Sequence, residues 1–302
     1  MENTGESRSI RTDASGIAVQ AFGYVFISLF ALCCLLPFLL VLGTSFTSED
    51  SIKRFGFNFW PKEFSTFAYR IVFENPEYMA GSYLVTFGIT ILGTAAGLFL
   101  VAMTGYALQR PDFGYRNGIS FFIYFTTLFS GGLVPFYLLM TQYLSLKNSY
   151  LAVLLPGLLS PFLIIMMKSF VRSIPHAITE SAKIDGAGDF TIFMKLILPM
   201  TTPALATIGL FIALGYWNEW YHAMLFLPDV KYRPLQLFLY NAVTQADFIR
   251  NSAAASNVEL RDVPLESMKM ATAVVATGPV ILFYPFVQRY FIKGITVGAV
   301  KG

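Results

Sequence analysis

Two apolar blocks, Val19–Phe46 and Gly81–Leu108, are longer than the helices of an ordinary soluble core. An α-helix rises about 1.5 Å per residue, so roughly 20 apolar residues are enough to cross the hydrocarbon core of a bilayer. Charged residues make up 13% of the 302-residue chain, whereas about 25% is usual in a soluble domain. The sequence therefore predicts a protein that crosses a membrane several times.

Six segments have the length and apolarity that a transmembrane helix requires, and they predict an all-α, polytopic membrane protein. The segments are Val19–Thr44, Ser82–Leu108, Ile119–Tyr143, Leu151–Phe170, Ala204–Phe226 and Met270–Phe291. We expect an N-terminal tail over residues 1–18, a transmembrane domain over residues 19–293 and a C-terminal tail over residues 294–302. An even number of spans places both termini on the same side of the membrane.

Basic residues indicate that side, because cytoplasmic loops carry an excess of Lys and Arg. The 21 Lys and Arg residues divide almost equally between the two sides. Their placement is more informative, since Arg110 and Arg116 flank one short loop, and Lys168 and Arg172 stand at the end of a predicted span. We therefore expect both termini in the cytoplasm, and a first span that is retained rather than cleaved as a signal peptide.

The sequence lacks the residues that most enzyme and metal sites need. Its two cysteines, Cys33 and Cys34, are adjacent within an apolar run, and its two histidines, His176 and His222, are far apart. Neither arrangement has the spacing of a zinc site, and the chain contains no glycine-rich phosphate loop. We expect no catalytic residue, no metal site and no cofactor in this chain, so any ATP that drives it must bind to another chain.

The connection between the fourth and fifth predicted spans, residues 173–199, has a helical pattern of its own. Pro175 suits the first turn of a helix, Gly186 can adopt the left-handed conformation that ends it, and Asp189 can cap a second helix. The pattern predicts a helix–turn–helix elbow on the cytoplasmic side, with the second helix ending near Pro199. An amphipathic connector lying at the membrane surface is the alternative interpretation of the same pattern.

A resemblance to a known family favours the elbow. Glu180-Ser-Ala, three residues, Gly186, nine residues and then Leu-x-Leu-Pro199 resembles the EAA loop of ABC importer permeases. The pattern of that loop is Glu-Ala-Ala, three residues, Gly, nine residues, and then Ile, one residue, Leu-Pro. The chain departs from it at Ser181, which replaces Ala, and at Leu196, which replaces Ile, and both changes are conservative.

In that family the elbow is the coupling helix, which docks into a cleft on a separate ATPase subunit. The resemblance implies this role for the residues that match or adjoin the motif: Glu180, Ser181, Ala182, Asp185, Gly186, Ala187, Leu198 and Pro199. A short helix ended by a glycine can act as a rigid knob. Carboxylates on its surface can accept hydrogen bonds from basic groups of a partner.

Other stretches extend the resemblance over most of the chain. Gly105–Arg110, Ser130–Pro135 and Trp217–Trp220 are similar to segments of the same family. Gly294–Gly302 resembles the tail of the maltose-type second permease, which reaches into the interface between the two ATPases. The resemblance implies that position for Gly298, Lys301 and Gly302. Within the family we expect the oligosaccharide branch of lipoprotein-like sugar permeases, with the alginate-oligosaccharide importer as a candidate relative.

The resemblance also implies an assembly in the bacterial cytoplasmic, or inner, membrane. This chain is expected to form a heterodimer with a second permease subunit and to bind two ATPase subunits that hold ATP and Mg. An extracytoplasmic binding protein is expected to deliver a carbohydrate, and no nucleic acid is expected as a partner. The chain itself is then not an enzyme, because the partner subunits hydrolyse ATP.

An ion-coupled secondary transporter that works without an ATPase is the alternative function. Such a transporter is expected to show repeated halves and carboxylates within the membrane. The sequence has no convincing internal repeat, and Glu219 is the one acid that we place within a predicted span.

An acid at membrane depth is a candidate functional residue in its own right. The aromatic and amide side chains around Glu219 can stack on sugar rings or bond to hydroxyls. The candidate substrate-pathway residues are Tyr216, Trp217, Asn218, Glu219 and Trp220. An aromatic belt at the membrane–water interface is the alternative explanation. The long loop Leu227–Lys269 either contacts a substrate-delivery protein or is an ordinary solvated loop.

Overall fold

The computed structural model describes residues 14–255, 264–279 and 281, and apart from one isolated β-bridge their regular structure is helical. This confirms the predicted all-α class for the described part of the chain. The helices are α1 (Ala14–Ser45), α2 (Glu49–Phe55), α3 (Phe67–Val72), α4 (Pro76–Gln109), α5 (Arg116–Leu128), α6 (Leu133–Leu138), α7 (Leu151–Gly157), α8 (Pro161–Arg172), α9 (His176–Ile184), α10 (Asp189–Ile192), α11 (Leu198–Met200), α12 (Thr202–Trp217), α13 (Tyr221–Phe226) and α14 (Leu235–Ala255). Residues 265–279 form a further helix. Two π-helical segments, Leu139–Tyr143 and Phe193–Ile197, directly follow α6 and α10.

Two helices, Gly16–Ser45 within α1 and the whole of α4, are long and apolar enough to cross a membrane unaided. Three pairs reach that length only across a bend: α5 with α6 and its π-helical extension, α7 with α8, and the run α10–α11 with α12. The bends measure 116°, 45° and 85°, so the described residues hold up to five spans if each pair counts as one. The predicted sixth span, Met270–Phe291, and the tails, 1–18 and 294–302, extend into or lie in residues outside this description.

The predicted third, fourth and fifth spans are each interrupted, and the fourth, Leu151–Phe170, breaks between α7 and α8. Ile119–Tyr143 breaks at residues 129–132, where Gly132 has a φ of 85°. Ala204–Phe226 breaks at residues 218–220. Mean hydropathy measures the composition of a window of residues and does not depend on the direction of the backbone. It therefore cannot detect a short break inside an apolar run.

Residues 14–72 together with residues 264–274 form one compact unit. α1 is exposed along most of its length in this unit. The Glu49 carboxylate accepts the backbone N–H groups of Glu266 and Ser267, both at 3.1 Å. These N–H groups belong to the first turn of the helix that begins there, and they have no acceptor within that helix. Glu49 therefore caps the helix from a distant part of the chain.

Residues 73–255 together with 275–279 and 281 form the second unit, and α4 is its central helix. α4 packs against α8 and α12. Gly105 permits the close approach to α8, because a Cβ there would lie 2.8 Å from Met167 Cγ. Val101 and Met167 are almost fully buried in this contact region.

Tyr216, in the last turn of α12, joins α12 to both α4 and α7. Ring atoms of Tyr216 lie 2.4 Å from the Cβ position of Gly93 in α4 and 2.8 Å from that of Gly157 in α7. The Tyr216 hydroxyl donates to the Leu154 carbonyl at 2.7 Å. In a regular helix the Leu158 N–H would donate to the Leu154 carbonyl, but here it donates to the Leu155 carbonyl. Tyr216 therefore supplies the donor that the Leu154 carbonyl lacks where α7 ends.

Replacing Gly93 with Leu tests this contact. The new side chain must displace the Tyr216 ring, and overpacking of this kind costs about 1–3 kcal/mol. We expect a lower thermal unfolding midpoint for the G93L protein in lipid nanodiscs. The matched control is Gly88→Leu on the same helix, since a Cβ at Gly88 meets no atom within 4 Å. Equal midpoints for the two variants would contradict the packing described here.

Candidate functional site

α9, the first helix of the elbow, is closed sharply by a glycine. Gly186 has a φ of 82°, a conformation that costs a residue with a side chain about 1–2 kcal/mol. Its N–H donates to the Lys183 carbonyl at 3.0 Å, and the Ala187 N–H donates to the Ala182 carbonyl at 2.9 Å. This pair of bonds is a Schellman motif, which satisfies the last carbonyls of a helix and stops it.

The second helix of the elbow differs from the prediction at its start. Asp189 is the first residue of α10, Gly188 is the N-cap, and no side chain caps the helix. The predicted cap by Asp189 is therefore wrong, because its carboxylate pairs with Arg110 instead. At the other end, helical structure reaches Met200, one residue past the predicted Pro199, before the chain turns into α12.

An ion-pair network ties both elbow helices to the end of α4. The Arg110 guanidinium contacts the carboxylates of Asp112 and Asp189, and Lys183 Nζ lies 2.5 Å from Asp112 Oδ2. The Arg110 side chain is only 15% exposed, so the protein shields this cation from water on most sides. Lys183 belongs to α9 and Asp189 to α10, and the network therefore fixes the angle between the elbow and α4.

The charges of this network persist over a wide pH range. Hydrogen bonds from Arg110 and then Lys183 hold the pKa of the Asp112 carboxyl well below its usual range. The hydrogen bond to Asp112 raises the pKa of the Arg110 guanidinium, although burial opposes the rise. A carboxyl with a lowered pKa stabilises the folded state above its unfolded pKa, about 3.9, and loses that effect as the pH falls through the folded pKa. The elbow therefore stays fixed from neutral pH down to about pH 5.

The motif residues divide between an outer and an inner face of the elbow. The exposed residues are Glu180, Ser181, Asp185, Gly186 and Pro199. Those that are half-buried against the core of the second unit are Ala182, Ala187 and Leu198. Two apolar side chains outside the motif also lie on the surface: Ile184 is 86% exposed and Phe190 is 63% exposed. Neither was among the predicted coupling residues, although an apolar residue next to the turn was a usable signal.

The structure separates the predicted pathway residues. Tyr216 and Trp217 are buried, Asn218 is exposed, and Glu219 and Trp220 are half-buried. Glu219, predicted to lie within a span, lies in the break between α12 and α13. Its carboxylate accepts the His222 backbone N–H at 2.8 Å, and its second oxygen lies 2.9 Å from His222 Nδ1.

The breaks in two helix pairs lie beside one cavity. A cavity of about 320 Å³ is lined by Ser160, from the break between α7 and α8, and by Tyr216 and Glu219. Nearby, Trp220 stacks on Tyr240 of α14, with ring centroids 4.4 Å apart and planes 19° apart. The sequence did not indicate Tyr240 as a neighbour of Trp220, because no local pattern predicts a contact between residues twenty positions apart.

The first part of the predicted loop 227–269 is packed rather than solvated. The Tyr150 hydroxyl donates to the Tyr232 carbonyl at 2.8 Å, and the Leu235 N–H donates to the buried Thr86 Oγ1 at 2.8 Å. The chain then continues as α14, Leu235–Ala255. Contact of the remaining loop with a delivery protein stays a prediction.

The predicted tail residues lie beyond the described part of the chain: Gly298, Lys301 and Gly302. Among the residues that are described, no group of three or more His, Cys, Asp or Glu side chains is arranged to hold a metal ion.

Comparison with known proteins gives consistent relatives along almost the whole chain. No family model matches. The polygalacturonan/rhamnogalacturonan transport system permease protein YtcP of Bacillus subtilis is 40% identical over 279 residues, which cover 92% of this chain and 96% of that protein. Protein LplC of B. subtilis is 36% identical, with coverage of 89% and 90%. The arabinooligosaccharides transport system permease protein AraQ of Halalkalibacterium halodurans is 28% identical, with coverage of 93% and 95%.

A solved structure has the same fold. It is the crystal structure of a bacterial ABC transporter involved in the import of the acidic polysaccharide alginate. One of its chains superposes on this protein with a TM-score of 0.78 and 30% sequence identity, covering 92% of this chain and 98% of that chain.

Replacing Arg110 with Met is expected to loosen the elbow. The variant removes the cation between Asp112 and Asp189, and hydrogen bonds to charged groups contribute about 1.5–3 kcal/mol. We expect amide hydrogen exchange over residues 176–192 to rise by about tenfold or more, since tenfold corresponds to about 1.4 kcal/mol. The rise should be similar from neutral pH to pH 5, after correction for intrinsic exchange.

Arg116→Met is the matched control for that experiment. Arg116 follows the same short loop, and within the described part of the chain its side chain donates only to the Arg110 carbonyl, at 3.3 Å. Its replacement should leave exchange over residues 176–192 unchanged. If both variants changed exchange equally, the effect would come from loss of positive charge in the loop and not from the network.

Proposed function

Since the chain belongs to the permease family of carbohydrate ABC importers, we propose that it is one of two membrane subunits that form the pathway for an oligosaccharide. The relatives that align with 92% and 93% of it are permease proteins of systems for polygalacturonan or rhamnogalacturonan and for arabinooligosaccharides. Their named substrates are all oligomers or polymers of sugars. The second permease subunit supplies the other half of the pathway.

The coupling role rests on one observation, the exposure of the outer face of α9. Ile184 is 86% exposed at the end of a helix that Gly186 closes and the Arg110 network holds in place. Covering an apolar side chain of this size contributes about 1.5–3 kcal/mol relative to leaving it in water. We propose that α9 docks on a separate ATPase subunit through Ile184, with Glu180 and Asp185 accepting hydrogen bonds around it.

This docking determines the rest of the assembly. Two ATPase subunits bind ATP and Mg, so the chain itself needs no nucleotide site and no cofactor. The elbow and both termini then lie on the cytoplasmic side of the inner membrane, and the C-terminal tail with Gly298, Lys301 and Gly302 reaches the ATPases. An extracytoplasmic binding protein delivers the substrate on the opposite side.

The pathway role is proposed for the half-buried residues at the helix break. Glu219 lines the cavity of about 320 Å³, Trp220 follows it in the chain and is half-buried, and Asn218 before it is exposed. Carboxylate, amide and indole groups are suitable partners for sugar hydroxyls and ring faces. Tyr216 and Trp217 contribute by holding α12 in place, because their side chains are buried in the second unit.

We propose acidic oligosaccharides as the substrate class. The solved relative belongs to an importer of the acidic polysaccharide alginate, and YtcP is named for polygalacturonan, which is a polymer of galacturonate. Both substrates carry a carboxylate on their sugar units. AraQ, named for neutral arabinooligosaccharides, is less similar to this chain, at 28% identity.

Uptake by reconstituted vesicles tests this function. The chain is assembled with its partner permease, ATPases and binding protein, and uptake of oligogalacturonate, oligoalginate and arabinooligosaccharide is measured with and without ATP. We expect uptake of an acidic oligosaccharide only with ATP and the ATPase subunits. Uptake that persists without them would show an ion-coupled transporter instead. Preference for the neutral sugar would reject the substrate class while leaving the importer function intact.

Substitutions at the tip of α9 test the coupling role. Ile184→Asp places a charge on the docking surface, and Gly186→Leu forces a side chain into a left-handed conformation. We expect both to reduce co-purification of the ATPase subunits and ATP-dependent uptake by at least about tenfold, or roughly 1.4 kcal/mol. The control Ile184→Leu keeps the apolar surface and should behave as the parent. Retention of both properties in the Ile184→Asp and Gly186→Leu proteins would reject the assignment.

A further inference from the structure

A dense group of exposed aromatic side chains follows α2, in a part of the chain that the proposed function does not use. Residues 55–64 are named here the aromatic loop. Its exposed rings are Phe55 (52% exposed), Phe57 (50%), Phe59 (54%), Trp60 (85%) and Phe64 (71%). Contiguous apolar surface of this kind marks a binding site for a protein or a membrane.

The aromatic loop is held beside the last turn of α1. It approaches the helix so closely that a Cβ on Gly43 would lie 2.2 Å from the Phe59 carbonyl oxygen. On its return the loop forms a β-bridge between Phe64 and Thr47. Gly43 precedes the last residue of α1 by two positions, or about 3 Å along the helix axis. The backbone of the loop therefore contacts α1 near its end, between Gly43 and Thr47.

That level coincides with the end of a helix of membrane-spanning length. The most apolar 18 residues of Gly16–Ser45 have a mean hydropathy of 2.9, and none of them is buried by the rest of the described chain. Its 30 residues extend about 45 Å, which equals the thickness of a bilayer with its headgroup regions. A crossing helix of this length ends at headgroup depth, and the aromatic loop lies there with it.

Basic side chains among the rings fit the same environment. α2 ends with Lys53 and Arg54, and Lys62 Nζ lies 3.9 Å from the centre of the Phe55 ring. Amphipathic aromatic rings with neighbouring Lys and Arg are typical of the membrane–water interface. In that arrangement, the rings lie at the boundary of the acyl chains and the ammonium groups reach lipid phosphates.

Hydrogen bonds within the chain also fix the conformation of the loop. The Gly56 N–H donates to the Ile52 carbonyl at 2.8 Å and ends α2. The Asn58 side-chain amide then donates to the carbonyls of Phe55 at 3.3 Å and Gly56 at 3.0 Å. A turn held by these bonds presents its rings at a fixed depth.

We propose that the aromatic loop binds the lipid interface and fixes the depth of α1 in the bilayer. Its occupant is the boundary between headgroups and acyl chains, with anionic headgroups beside Lys62 and the end of α2. Lipid is favoured over a docking protein because the loop contacts the last turn of a helix that is long and apolar enough to cross a bilayer, and the end of such a helix lies at headgroup depth. This proposal does not depend on the carried substrate or on ATPase coupling.

Trp60 itself reports on the proposal. The complete importer is placed in nanodiscs of phosphatidylcholine and phosphatidylglycerol, and fluorescence is recorded for the parent and for Trp60→Phe. The difference between the two spectra isolates the emission of Trp60 from that of every other tryptophan. We expect blue-shifted Trp60 emission that loses most of its intensity when lipids are brominated near the headgroup. Bromine near the end of the acyl chain should quench it less, and aqueous iodide should have little effect.

Every other outcome overturns the proposal. Strong quenching by iodide without an effect of brominated lipid would show a solvated loop. Protection from both quenchers would show that a partner subunit covers the rings, and protection that appears only on adding the binding protein would show a docking surface. Thermal unfolding and ATP-dependent uptake of the Trp60→Phe protein, measured in parallel, show whether the variant is folded and assembled. A failure of the lipid proposal then remains separate from a failure of the importer function.

Discussion

Backbone polar groups in a bilayer must find their hydrogen bonds within the protein, because lipid offers none. Three helix pairs of this chain are bent, and each bend interrupts the regular bonds of a helix. Side chains next to the breaks supply the missing partners. At the bend between α11 and α12, Thr201 Oγ1 donates to the Leu198 carbonyl at 3.1 Å. Tyr216 does the same across helices for Leu154.

This constraint explains how much of the fold could be predicted from sequence. The existence of apolar helices follows from composition, and the end of α9 follows from Gly186, because both depend on local properties of the chain. The sequence did not indicate the breaks at 129–132 and 218–220, because the few polar residues at these breaks lie within otherwise apolar runs. The wedge of Tyr216 between Gly93 and Gly157 joins positions far apart in sequence, and no single-sequence pattern indicates it.

The candidate site shows the same limit. The sequence motif indicated the exposed residues Glu180 and Asp185, which act through their own position on a short helix. It assigned Asp189 to a local cap, because a helix start favours a carboxylate. The folded chain instead places Arg110 within reach of that carboxylate, which forms an ion pair with the shielded guanidinium. This ion pair is stronger than a capping hydrogen bond, and Gly188 is the N-cap of α10 without a side chain. For Arg110 the sequence indicated only topology and a family resemblance, since one of its two carboxylate partners, Asp189, comes from another part of the chain.

The network and the Tyr216 wedge together connect the elbow to the cavity by two routes. One route runs from Asp189 through α10, α11 and the bend at Thr201 into α12, which ends at Tyr216. The other runs from Arg110 back along α4 to Gly93, about 25 Å away, where the Tyr216 ring rests. Both routes start at one ion-pair network and meet at one side chain, so a displacement of the elbow acts on α4 and α12 together. Tyr216 also lies against Gly157 and donates to the Leu154 carbonyl of α7. On the proposed function, the motion that follows docking of an ATPase therefore reaches α7 through the same side chain, at the helix break that lines the cavity beside Glu219.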